Sequence, residues 1–324
     1  MTIDLADLAA SLRDNKGINS KQNIAAVAAS LGLSADMPVP VGDDCAAIAA
    51  EDGHLLFAIE GFMNEFLARD PWFAGWCGVM VNVSDVAAMG GRPIAVVDAV
   101  WADGEEGAAP VLAGLRAAAR AYGVPIVGGH TNVRTDRGQL SVAILGRADK
   151  LLTSFGARLG DMLIVAIDLR GRYREPFSNW EAATDAPPAR LRTDLEVLPA
   201  LAEAGLAHAA KDISQGGIVG TTIMLAECSG VGIDIDLGAV PMPPDVPMER
   251  WLTTFPSFGY LIATRPADAQ AVVDRFAERD IAAAAVGCFD GSREVAISLE
   301  GRREVIRNHA AHPLLGLPRQ EAAA

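Results

Sequence analysis

The spacing of apolar residues divides the chain into alternating strands and helices. Residues 3–13 and 21–32 read as short helices joined by the polar stretch DNKGINS. HLLFAIE (54–60) is short, apolar and followed by Gly61, as a buried strand should be. Residues 71–89 have helical spacing, with Phe73, Trp76, Met80, Val83 and Ala87 on one face and Asn82 and Asp85 roughly opposite. RPIAVVDAVW (92–101) predicts a strand entered through Pro93, and 106–122 an alanine-rich helix ended by Gly123 and Pro125. PIVGG and QLSVAILGRA predict further strands.

A turn carrying Gly156 and Gly160 then opens a second series, which sets a domain boundary near residue 150. Strands are predicted at 162–168, 232–237, 258–264, 281–288 and 293–299. Helices are predicted at about 190–204, 216–229 and 267–278. Both halves, 1–150 and 151–324, are α/β layers. Between them, 170–192 has too many breakers for one element. Its five arginines (170, 172, 174, 190 and 192) fit a loop able to close over an anionic substrate.

Composition narrows the function classes. The 324 residues are 51% apolar and 21% charged, which suits about two ordered domains. No apolar run is long enough to span a bilayer. The acidic start MTIDLADLAA does not resemble a signal peptide, and the four scattered cysteines form no CxxC, so a cytoplasmic location is expected. A net charge of −14 argues against a nucleic-acid partner.

Candidate chemistry lies in five places. VGDDCA sets Asp43 beside Asp44, as an Asx-turn, a cap, or a pair sharing a cation. Glu60 stands at the C-terminal end of a predicted strand, where it is either simply exposed or a ligand. Asp85 lies in a helix apolar on nearly all sides, and a buried carboxylate needs a cation or donors. In VGGHTN, Gly128 and Gly129 make a turn or let backbone approach a phosphate, and His130 is structural or functional. In KDISQGG, Asp212 or Ser214 can cap the following helix, yet capping leaves Gly216–Gly217 at a helix start unexplained. Carboxylates at 43, 44, 60, 85 and 212 with glycine loops at 128–129 and 216–217 suit Mg2+ bridging polyphosphate oxygens.

GDDCA, the strand ending in an acid and Gly, NVSDVAAMGGRP, VGGHT and DISQGG occur in that order. The series resembles the superfamily of aminoimidazole ribonucleotide (AIR) synthetase, thiamine-monophosphate kinase, selenophosphate synthetase and hydrogenase-maturation carbamoyl-dehydratase, over about residues 10–310. RDPWFAGWCGVMVNVSDVAAMGGRP, SFGARLGDMLIVAIDLRG and FPSFGYL are most similar to its selenophosphate synthetase-related branch, which includes methanogenesis marker protein 2. The resemblance implies a two-domain α/β (α+β) fold whose N-terminal sheet pairs into a barrel-like homodimer interface. It implies ATP bound with Mg2+ between the domains.

Carried over by position, Asp44, Asp85 and Asp212 are metal ligands, with Asp43 beside Asp44 and Glu60 where relatives have Asp. Gly128, Gly129, Thr131, Ser214, Gly216 and Gly217 line the nucleotide. His130 serves as base or phosphate contact, and Lys16 and Lys21 can reach the transferred phosphate. The departures are Glu60, His130 and Gln215 for acids of the kinase pattern, Ser154 where the kinase has Arg, and an N-terminal segment without the reactive Cys of selenophosphate synthetase. The implied function is Mg2+- and ATP-dependent phosphorylation or phosphate activation of a small, anionic molecule. The competing readings are a nucleotide-binding accessory protein without turnover and a metal-dependent phosphohydrolase.

Overall fold

The computed structural model describes residues 3–33 and 39–317, which form two compact units. The N-terminal unit comprises 44–151 and 183–203. The C-terminal unit takes the described residues within 1–43, 152–182 and 204–324. In place of the single boundary near residue 150, the chain crosses between units several times. Leu5, Leu8, Leu12 and Ile18 explain why the first segment joins the second half: they are buried in the C-terminal unit's core.

The N-terminal unit holds one five-stranded sheet of β1 (Ala46–Ala49), β2 (His54–Gly61), β3 (Arg92–Asp103), β4 (Ile126–Asn132) and β5 (Arg134–Ala148), in the order β1-β2-β5-β3-β4. All pairings are antiparallel except β3–β4. Helices Pro71–Ala88 and Gly104–Tyr122 belong to the same unit. They interlock at glycines: a Cβ on Gly114 would lie 2.8 Å from the Trp76 nitrogen, and one on Gly75 would strike the Val111 carbonyl. Asp70 caps the first helix by accepting from the Phe73 N–H at 3.1 Å, and Pro71 suits its first turn. Alternation along the strands puts Leu56, Val96 and Val142 on a buried face.

The C-terminal unit contains β6 (Met162–Ile167), β7 (Arg172–Tyr173), β8 (Asn179–Glu181), β9 (Ala209–Asp212), β10 (Gly232–Asp236), β11 (Phe255–Pro256), β12 (Gly259–Thr264), β13 (Ala282–Asp290), β14 (Glu294–Leu299) and β15 (Arg302–Asn308). Seven of these form the sheet β15-β14-β10-β13-β6-β12-β9, and β11-β8-β7 form a small second sheet. Helix Gly217–Ser229 is buried along nearly its whole length.

A further sequence expectation changes. The helix expected at about 190–204 is two, Pro188–Leu195 and Val197–Glu203, because Pro199 has no N–H to give the Leu195 carbonyl. The stretch 170–192, read as too broken for one element, holds the short strands β7 and β8 and the start of a helix. Two of its arginines are engaged within the protein: Arg170 is held by Asp168 at 2.8 Å, and Arg192 donates to the carbonyls of Ala121 at 3.0 Å and Arg120 at 2.6 Å. Arg192 thereby satisfies carbonyls at the C-terminus of helix Gly104–Tyr122.

Candidate functional site

Asp43 and Asp44 have separate fates. Asp43 belongs to the C-terminal unit, where both its oxygens accept from Ser154: Oδ2 from the backbone N–H at 2.9 Å and Oδ1 from the hydroxyl at 2.7 Å. Ser154 is fully buried. Asp44 begins the N-terminal unit. Within that unit it meets Asp85, and the two carboxylates offer ligand oxygens within 4.8 Å of each other. Asp85 is 6% exposed on helix Pro71–Ala88, which is buried almost all round. Two hard carboxylates at that separation suit a divalent cation of the Mg2+ class, which takes oxygen ligands.

Asn82, one turn before Asp85, is wholly buried and ties the helix to the sheet. Its amide donates to the carbonyls of Gly78 at 2.8 Å and Val142 at 3.0 Å. Val142 marks a row of four strands. Glu60 of β2 and Asp98 of β3 both pair with it, and Asp98 pairs with Gly129 of β4. Residues in one such row share a face, so Glu60, Asp98 and Gly129 lie on one side of the sheet.

Asp98 was not singled out by the sequence motifs. The available signal was an aspartate in the middle of an otherwise apolar strand. Burial pushes its carboxyl above the usual carboxylate range. Its closeness also accounts for Gly129, where a Cβ would stand 2.7 Å from the Asp98 carbonyl oxygen and 2.8 Å from Oδ2. β4 is exposed along its whole length as an edge strand. Gly129 and Thr131 share one face, while alternation puts His130 on the other, its ring 5.9 Å from that of Trp101. The structure does not bring His130 to the side of Gly129.

In the C-terminal unit, Asp212 is the last residue of β9, opposite Tyr260 and 5% exposed. The turn after it carries half-buried Ser214 and exposed Gln215. Neither Asp212 nor Ser214 caps helix Gly217–Ser229, whose N-cap is Gly216 with no side-chain bond. The glycine pair has a different cause. Gly217 has φ +62, and a Cβ there would lie 2.5 Å from the Thr253 Cα. The helix starts in a space and a backbone conformation open only to glycine.

The N-terminal segment packs on this turn. A Cβ on Gly17 would be 2.7 Å from the Gln215 carbonyl, and buried Ile18 fits over Gly220, whose Cβ would be 2.9 Å away. Lys16 is exposed and Lys21 half-buried on that segment. No described helix is long and apolar enough to cross a membrane.

Comparison with known proteins identifies the architecture. Residues 42–148 match the family described as AIR synthase related protein, N-terminal domain, and 174–300 match its C-terminal domain. An uncharacterised protein of Synechocystis is 42% identical over 96% of this chain and 98% of its own length. The thiamine-monophosphate kinase of Methanospirillum hungatei is 29% identical over 64% of this chain and 72% of its own. Among solved structures, T. maritima PurL complexed with ATP superposes with a TM-score of 0.73 at 20% identity, covering 86% of this chain. The chain spans about half of that longer protein, 47% of its length, so this likeness shows the fold alone. The paired family matches cover most of the chain in the order the motifs require, and the protein belongs to the AIR synthase-related family.

Proposed function

We propose that this protein is a Mg2+-dependent, ATP-using enzyme that phosphorylates or phosphate-activates a small molecule. The observation that carries the reading is the approach of Asp44 and Asp85 to within 4.8 Å inside one unit of an AIR synthase-related fold. The relatives support the nucleotide: one is a thiamine-monophosphate kinase, and T. maritima PurL is seen with ATP.

Asp44 and Asp85 are the two ligands that the N-terminal unit supplies. Glu60, exposed at the end of β2, reaches the same cation directly or through water. When bound, Mg2+ neutralises charge on phosphate oxygens, the main electrostatic need of phosphoryl transfer. In the N-terminal unit Gly128, Gly129 and Thr131 are assigned to the nucleotide, and in the C-terminal unit Ser214, Lys16 and Lys21 are the polar groups assigned to phosphate. Asp43 is assigned to holding the Asp44 loop through Ser154. His130, across the sheet from Gly129, is assigned no proton transfer.

The outer face of the N-terminal sheet supports a homodimer. Ile48, Phe57, Ile59, Ile94 and Val97 are 40–66% exposed there, and grouped exposed apolar side chains mark an interaction surface. Light scattering at micromolar concentration should give a dimer, and Phe57→Asp should give monomers.

The deciding experiment is calorimetric titration of ATP with Mg2+ and again with EDTA. Heat that requires Mg2+ supports the reading, and Asp44→Asn should abolish it while leaving the circular dichroism spectrum unchanged. Full Mg2+-dependent binding in that variant overturns the ligand assignment. Binding without any turnover across phosphate-acceptor screens favours the accessory protein.

A further inference from the structure

The far end of helix Gly217–Ser229 has no role in the function just proposed, yet its last three residues converge on the loop that carries Asp43 and Asp44. Glu227 is 6% exposed in the last turn, where a carboxylate opposes the helix dipole. It is compensated by three backbone donors: the N–H groups of Leu314 at 2.6 Å, Leu315 at 3.1 Å and Gly316 at 2.8 Å. Those bonds fix a short segment of the C-terminal tail. Its side chains press on Gly42, where a Cβ would stand 2.9 Å from Leu317 Cδ1 and 3.7 Å from Leu315 Cδ1.

Cys228 closes the same contact, its sulfur 3.4 Å from that Cβ position. Gly42 has φ +124, so neither the conformation nor the space admits another residue. Ser229 completes the set. Its hydroxyl donates to the Ser154 carbonyl at 2.7 Å and accepts from the Ala157 N–H at 3.0 Å. Ser154 in turn holds both oxygens of Asp43. Three consecutive residues thus reach the loop by three routes: Glu227 through the tail, Cys228 directly, and Ser229 through Ser154.

We infer that Glu227 and Ser229 are positioning residues for Asp44, and that segment 314–317 is a strap holding the metal-binding loop. The inference rests on the metal reading above and adds to it how the loop is fixed. A ligand on a loop binds its cation well only if the loop is already ordered, and residues that orient ligands typically govern affinity by about 10–100-fold.

The test uses the full chain and two variants, Glu227→Gln and Ser229→Ala. Two quantities are read beside the thermal midpoint: hydrogen exchange at amides 42–45, and affinity for Mg2+ alone by calorimetry. Both variants should stay folded, exchange the 42–45 amides faster, and bind Mg2+ about tenfold more weakly. Exchange within helix Pro71–Ala88 should not move. Unchanged loop exchange in both variants overturns the strap, and faster exchange with unchanged Mg2+ affinity overturns the positioning role. If Glu227→Gln does not fold, Ser229→Ala decides alone. A parent chain that binds no Mg2+ overturns the metal reading and the positioning role together, while loop exchange still decides whether the strap holds the loop.

Discussion

Two glycine pairs, Gly128–Gly129 and Gly216–Gly217, look alike in the sequence and are different physical objects. The first lies on an exposed edge strand, with open space at Gly128 and Asp98 close against Gly129. The second is buried and starts a helix at a positive φ against the backbone of residues 252 and 253. At Gly128 glycine leaves space open, whereas Gly129 fits against Asp98 and Gly217 against main chain at a positive φ. A glycine pair in a sequence therefore states that a side chain is excluded; whether a ligand or the protein itself takes the space is decided elsewhere in the fold.

Substitution should separate the pairs by size of effect. Gly217→Ala meets both a left-handed backbone, worth about 1–2 kcal/mol, and overlap with fixed main chain. A loss of more than about 3 kcal/mol is expected in urea unfolding, as overpacking against main chain adds to the strain. A loss under about 1 kcal/mol would mean the helix start can relax, and the contrast would fail. Gly129→Ala should cost about 1–3 kcal/mol, since its Cβ would meet the Asp98 carbonyl and carboxylate. Gly128→Ala has nothing nearer than Val97 Cγ1 at 4.0 Å and should change stability by less than about 0.5 kcal/mol. If ATP binding falls for Gly128→Ala while stability holds, the open position is sharpened into a ligand contact.

Asp98 tests the same row by pH. Burial raises its carboxyl pKa, so the folded state favours the protonated form. The stability it contributes is present in acid and is lost as pH rises through the raised value. In EDTA, Asp98→Asn should therefore gain on the parent as pH rises from 4 to 8, read from urea midpoints. A gap independent of pH would show that Asp98 is already compensated.

Another small effect concerns an ion-paired group of three residues. Arg92 binds Glu196 at 2.8 Å and Glu203 at 2.5 Å, and holds the Glu203 carboxyl below its ordinary range. That stabilisation exists above the ordinary glutamate pKa and is lost on acidification. The pair is solvent-exposed, so Arg92→Ala should cost about 0.2–1 kcal/mol, less in high salt.

Much was legible without coordinates. The alternating α/β order, helix Pro71–Ala88 with its buried acid, and the strand ending near Glu60 follow from periodicity, which local burial enforces. Aspartates 44 and 85 could be nominated from motif order alone. What stayed hidden depends on register and on contacts between distant segments. Nothing in AVVDAV shows that Asp98 shares a row with Glu60 and Gly129, because register is set by the strands on either side. Nor does GDD reveal that its first aspartate turns to Ser154 while its second meets Asp85. The sequence determined the elements and which residues carry charge, through interactions a few positions long. Only the tertiary structure decided which charges meet, because such partners stand far apart in the chain, as Arg13 and Glu304 do at 291 positions.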